Sequence, residues 1–245
     1  MASSRSMSLD EHALRRDFLK AASKKYKAGA EKYMKFQFVM LGVPAKERQE
    51  ITRSHIKNLV DLSPAQVKTL FKSMKGSERE FHFVKIAVLA QNLQVFSRRK
   101  NISIVRDLII EGSWWDSIDT ISGKVISPLL SELSALDRTT LLLKFAGDKD
   151  MWVRRAAIVS MVKTEDVVND RTKQAVLKRN LGTDEFFINK AIGWFLREEY
   201  FYNQRFVLDF SKKHKLDRVA QREVDRAIAG RSQSGKRMKR AIKPL

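Results

Sequence analysis

The chain has 245 residues, 43% of them hydrophobic, with a formal net charge of +20 and no cysteine. The missing cysteine excludes disulfides and thiolate metal sites, and no run of about 18 apolar residues exists to form a transmembrane helix. The last sixteen residues, Gly230–Leu245, hold six basic residues and no acidic one, so the remaining body still carries +14 and calls for a polyanionic partner, most commonly nucleic acid.

In chain order the pattern is helical throughout. The segment Met1–Met7 is short and polar, with no apolar signal region, so the protein is expected to be intracellular. Ser8 and Glu11 have capping-box spacing and predict a first helix from Leu9 to about Lys25. A second covers Gly29–Met40 and is broken at Gly42-Val43-Pro44. Pro44 suits the first turn of a third, to about Leu59. Ser63-Pro64 and Ser77 with Glu80 mark two further starts, and Arg98–Asn101 reads as a basic turn. A helix over 102–110 leads to Ser113, whose spacing to Asp116 predicts another N-terminus, with Pro128 ending or kinking the helix. Further helices are predicted near 129–146, 149–163, 165–180, 184–200, 203–213 and 217–229. No hairpin dipeptide sits between alternating apolar residues, so strands are not expected. The expected organisation is one domain over 1–229 and a flexible basic tail over 230–245.

The central stretch is Ser113-Trp114-Trp115-Asp116-Ser117-Ile118-Asp119. Trp114, Ile118, Ile121 and Val125 make one apolar stripe. Trp115 lies about 100° away, with Asp119 its neighbour at i+4. Two later stretches echo it: Trp152 with Arg154-Arg155, and Phe186 through Trp194 to Glu198. Trp115 to Arg155 is 40 residues and Arg155 to Trp194 is 39. Such a period suggests paired antiparallel helices of the HEAT kind, stacked so that equivalent positions line one concave, basic surface.

Several residues then admit two readings. Trp194 sits between Lys190 at i−4 and Arg197 at i+3, while Ile188, Ile192 and Phe195 make the better core stripe. A tryptophan among cations suits a nucleic-acid face, or it is simply covered by aliphatic lysine and arginine stems. Gly193 costs roughly 1 kcal/mol inside a helix, which suggests a close backbone approach. Arg155 lies in a helix that is apolar nearly all round and needs a partner, either a phosphate or the Asp119 carboxylate. Trp152 reads as core. His12, His55, His82 and His214 show no metal-ligand or general-base spacing, and no phosphate-cradling glycine loop or nucleophile elbow appears.

At these residues the chain resembles the AlkD family of bacterial-type DNA glycosylases. The resemblance rests on Ser113–Asp119, on Trp152 with Arg155-Ala156-Ala157-Ile158, and on Glu185–Ile188 with Lys190–Trp194 and Leu196-Arg197-Glu198. Weaker matches are Tyr33-Met34-Lys35, Leu41-Gly42-Val43, Glu47-Arg48 and Glu78-Arg79-Glu80-Phe81, so it spans roughly Tyr33 to Arg226. It implies an all-α, HEAT-like solenoid cradling duplex DNA in a concave basic groove, and hydrolytic release of N3- or N7-alkylated purines; the absence of a recognisable Schiff-base lysine argues separately against a lyase step. It places the catalytic aspartate on Asp119, the site tryptophans on Trp115 and Trp194, the backbone-binding arginine on Arg155 and a lesion-side tyrosine on Tyr33; Lys190 and Arg197 join them as candidate nucleic-acid contacts. It further implies a monomer needing no metal or organic cofactor, contacting DNA through backbone and sugar without a base pocket or a wedge. The region Pro44-Ala45-Lys46 and the basic tail fall outside the resemblance. The rival reading is a non-catalytic helical-repeat scaffold for DNA or RNA; an interaction scaffold for acidic proteins is a third.

Overall fold

The computed structural model describes residues 8–96, 101–162 and 164–233. These residues are all-α in the pattern of a helical-repeat solenoid, with no strand among them. The packing divides the chain into two compact units, residues 1–112 and 113–245, where the sequence reading draws one domain over 1–229.

The first unit holds α1 (Glu11–Ala21), α2 (Lys24–Tyr33), α3 (Ala45–Ile56), α4 (Pro64–Ser73), α5 (Arg79–Gln91) and α6 (Ile102–Glu111). Its starts are chosen by local chemistry. Ser63 and Gln66 form a complete capping box ahead of Pro64. Asp10, not Ser8, caps α1 by accepting from the Ala13 amide. The expected Ser77–Glu80 box is absent, because Glu80 faces the other way: its carboxylate is fully buried and accepts from the backbone amides of Leu41, Gly42 and Val43. The helix expected over 29–40 is replaced by α2, which ends at Tyr33, where the chain turns left-handed at Lys35 and Phe36 (φ 56° and 55°). For residues other than glycine that turn costs about 1–2 kcal/mol each. Gly42 (φ 95°) cannot be replaced cheaply either, since a Cβ there would sit 2.6 Å from Lys27 Cβ. Of the expected basic turn Arg98–Asn101, residues 98–100 lie outside the described residues.

The second unit holds α7 (Trp115–Ile121), a π-helical segment (Ser122–Ile126), α8 (Ser127–Glu132), α9 (Ala135–Ala146), α10 (Met151–Val159), α11 (Asp170–Lys178), α12 (Phe186–Tyr202), α13 (Gln204–Lys213) and α14 (Arg218–Gln233). Pro128 does not end the helix. The wide turn just before it passes the Ser127 amide to the Ser122 carbonyl, five residues back, and the chain stays helical through the proline. One row of helices packs in the order α7, α10, α12, α14, and α9 packs on α11 behind it. The tail expected from Gly230 begins inside α14, and residues 234–245 lie outside the described residues.

The repeat is visible in its polar ties. Asn92, just after α5, donates to the Leu59 carbonyl at 2.7 Å, and Asn180, just after α11, donates to the Ala146 carbonyl at 3.2 Å. Those pairs span 33 and 34 residues. Thr139 with Thr172 and Ser127 with the Ser160 carbonyl each span 33. The working period is therefore shorter than the 40 residues that the tryptophan echo suggests. Both asparagines are buried, so each NH2 group must find partners inside the protein, and helix-end carbonyls supply them.

Candidate functional site

The site residues of the second unit sit on three adjacent helices of the front row. Its floor is aromatic. Trp114, which caps α7, packs its ring 5.7 Å from Trp152 of α10 and 5.4 Å from Phe187 of α12, and those two rings are 4.9 Å apart. The N-cap thus falls on Trp114, one residue later than Ser113. Trp114 is held by this cluster, while Ile118, Ile121 and Val125 of its predicted stripe are fully buried, as is most of Trp152.

Above this floor lies an ion pair. Asp119 is one turn along α7 from Trp115, and Arg155 is one turn along α10 from Trp152. Arg155 Nε donates to Asp119 Oδ1 and NH2 to Oδ2, both at 2.9 Å, and NH1 donates to the Phe187 carbonyl at 2.6 Å. One guanidinium therefore ties α7, α10 and α12 together. Of the two alternatives open for Arg155, the Asp119 carboxylate is the partner present. The side chains are unequal in exposure: 5% for Arg155 and 22% for Asp119. The fork–fork geometry occupies one lone pair on each carboxylate oxygen and leaves the other unused by Arg155. Burial lifts the Asp119 carboxyl above the usual aspartate range, with Arg155 pulling the other way.

Trp115 and Trp194 are both half-buried. Trp194 stands seven residues beyond Phe187 on α12, hence on the same face. Its neighbours Lys190 and Arg197 do not extend freely. Both reach the carboxylate of Glu223 on α14, which is 1% exposed and also takes Arg226 at 2.9 Å; the Arg197 contact is 2.6 Å. Burial would raise the Glu223 carboxyl, but Lys190 and Arg197 hold it below the usual range. Arg197 also pairs with Glu198 at 3.0 Å, so the three cations and two carboxylates of this cluster leave a net charge of +1 beside Trp194. The Gly193 expectation holds: a Cβ there would lie 2.8 Å from Ala220 Cα, so the glycine is what lets α14 seat on α12. Glu223 and the Phe187 carbonyl carry no motif of their own, and Gly193 was the only sequence signal of the first. Tyr33, exposed at the end of α2, belongs to the first unit.

The family profile described as DNA alkylation repair enzyme matches residues 14–227. The chain belongs to that family. Comparison with curated proteins finds no match. Among solved structures, one described as a predicted DNA alkylation repair enzyme from Enterococcus faecalis superposes with a TM-score of 0.72 at 28% identity, covering 85% of this chain and 97% of that one. Membership accounts for the sequence resemblance at the level of alkylation repair. No helix among the described residues is long and apolar enough to cross a membrane.

Proposed function

We propose that the protein is a monofunctional DNA glycosylase that hydrolyses the N-glycosidic bond of N3- and N7-alkylated purines in duplex DNA, with Asp119 as its catalytic carboxylate. The observation that carries the reading is the half-open carboxylate: Asp119 is clamped by Arg155 from the buried side and accessible on the other.

Alkylation at N3 or N7 makes the purine cationic and a good leaving group. Breaking the bond moves positive charge onto the deoxyribose. A carboxylate about 4 Å away attracts that charge by roughly 4 kcal/mol at an effective dielectric of about 20. Arg155 behind it, at about 8 Å from the sugar, would offset roughly half. The remaining 2 kcal/mol or so corresponds to about thirtyfold in rate. Positioning and deprotonating the attacking water, the second task of Asp119, contributes typically 10²–10⁴-fold. Arg155 is in this scheme a positioning residue, fixing the carboxylate by two bonds. The contacts described use three of its five N–H donors, and at 5% exposure the side chain would have to shift outward to make the phosphate contact expected from the sequence. Trp115 and Trp194 offer π faces to the cationic nucleoside, at roughly 1–2 kcal/mol each. Lys190 and Arg197, tethered by Glu223, add positive potential beside Trp194 for the backbone, and Tyr33 is assigned to the lesion side by resemblance.

Selectivity then follows from the leaving ability of a cationic base. The test is a panel of duplexes with 7-methylguanine, 3-methyladenine and hypoxanthine, with released base read by mass spectrometry. Release of the two cationic bases and not of hypoxanthine is expected. Efficient hypoxanthine excision contradicts this basis for selectivity. The scaffold reading, in which the Asp119–Arg155 pair is structural only, predicts binding with no release from any of the three.

A further inference from the structure

The segment from α2 to Val43 is built differently from the rest of the molecule. No residue of α2 is buried, and between Lys24 and Phe36 five lysines stand against one glutamate. Its end is clamped from several sides. The Phe36 amide donates to the Glu31 carbonyl at 2.8 Å, and the Met40 amide to the Glu31 carboxylate at 3.2 Å. Arg79 lies 3.8 Å over the Phe38 ring, its amide bonds the Val39 carbonyl, and Glu80 takes the next three amides. Met34 and Met40 are buried on the inner side of the loop. The outer side presents Phe36 at 73% exposure and Val39 at 61%. A phenylalanine is therefore held in a left-handed conformation, on a rigid loop, to face solvent among lysines. Strained backbone of that kind persists where the surroundings over-determine it.

We propose that Phe36 is an apolar wedge that enters duplex DNA at a base step, while the lysines of α2 and Lys35 hold the flanking phosphates. Charge complementarity selects the occupant, since a lysine-rich rim around one apolar tip matches a phosphate-lined groove with stacked bases at its floor. The proposal rests on the reading of duplex DNA as substrate and departs from the wedge-free contact that the resemblance implies.

The test needs no excision. Undamaged duplex carrying 2-aminopurine, which brightens when unstacked, is titrated with full-length wild type, Phe36→Ala, Phe36→Gly and Lys32→Gln/Lys35→Gln. Wild type is expected to raise the fluorescence. Both Phe36 variants should lose that rise and bind about tenfold more weakly with an unchanged salt slope, as loss of an uncharged wedge requires. The lysine variant should keep the rise and lose about two units of salt slope. Phe36→Gly removes the left-handed strain, so its thermal midpoint should be equal to or above that of wild type, and loss of binding there is not loss of fold. Phe36 variants that bind and brighten DNA like wild type overturn the wedge. So does Phe36-dependent self-association in sedimentation without DNA, which assigns the surface to a second copy. A wild type that binds no duplex overturns the wedge together with the substrate reading. Binding and brightening without release of 7-methylguanine leave the wedge standing and remove the glycosylase.

Discussion

Replacing Arg155 by leucine removes the cation that the structure sets against Asp119 while leaving the carboxylate in place. Two charge-assisted hydrogen bonds of 2.9 Å and one of 2.6 Å to the Phe187 carbonyl are lost. Breaking one half of a buried pair typically costs 3–5 kcal/mol. Here Asp119 retains 22% exposure and has the escape of taking up a proton, so about 3 kcal/mol is expected. At roughly 2–4 °C per kcal/mol for a chain of this size, the midpoint should fall by about 6–12 °C. Arg155→Leu/Asp119→Asn should recover at least about 1.5 kcal/mol of that, because the stranded charge is gone. The pH dependence has a definite sign. Burial already raises the Asp119 carboxyl with Arg155 present, and without it the folded-state value rises further. A group raised on folding adds stability that is present below its unfolded value and lost as pH rises through the folded one. Arg155→Leu should therefore gain stability relative to wild type as pH is lowered from 7 toward 4. Urea unfolding of wild type, Arg155→Leu, Asp119→Asn and the double variant at several pH values measures all of this. Additive single substitutions, or a cost below about 1 kcal/mol for Arg155→Leu, would refute the argument that Arg155 is the counter-ion on which the carboxylate depends.

Other consequences follow from the packing. Gly193→Ala should cost about 1–3 kcal/mol by pushing α14 off α12, with protease cleavage near α14 as the direct reading. Glu80→Gln leaves three clustered amides facing a neutral side chain; about 1–3 kcal/mol is expected, along with faster hydrogen exchange at Leu41–Val43. Burial would raise the Glu111 carboxyl, but His82 and Lys85 lower it from 4.5 to about 2. Lys85 is the closer partner at 2.5 Å, with His82 at 3.8 Å. Being lowered on folding, it stabilises above pH 4.5 and loses this as pH falls through about 2. The shift amounts to about 3 kcal/mol if fully felt, and solvent screening at 47% exposure reduces it to about 1. Glu111→Gln should remove that part of the acid-side loss in a thermal melt series.

The helices were readable because their apolar periods are strong. Ile118, Ile121 and Val125 repeat on one stripe and are buried on it, as are Ile188, Ile192 and Phe195. Boundaries failed where tertiary bonds outbid local capping. Ser113 lost the N-cap to Trp114, whose ring is packed against two others, those of Trp152 and Phe187. Glu80 left its capping box to satisfy the amides of an irregular segment 37–39 residues earlier. Asp119 and Arg155 were legible as a charge pair on otherwise apolar faces. The third partner was not, because the Phe187 contact uses a backbone carbonyl, which no side-chain pattern announces. Lys190 and Arg197 read in sequence as candidate nucleic-acid contacts, with no sign of the carboxylate they share, which lies 33 and 26 residues downstream on another helix.

The most direct measurement of the central claim is single-turnover release of 7-methylguanine from a defined duplex, by wild type and Asp119→Asn side by side, with abasic product read by alkaline strand cleavage and DNA affinity measured in parallel. The account predicts base release by wild type and a loss of at least about a hundredfold in Asp119→Asn, the sum of charge stabilisation and water activation, at little change in affinity. Equal rates for the two proteins, or no release by wild type despite tight binding, would contradict it.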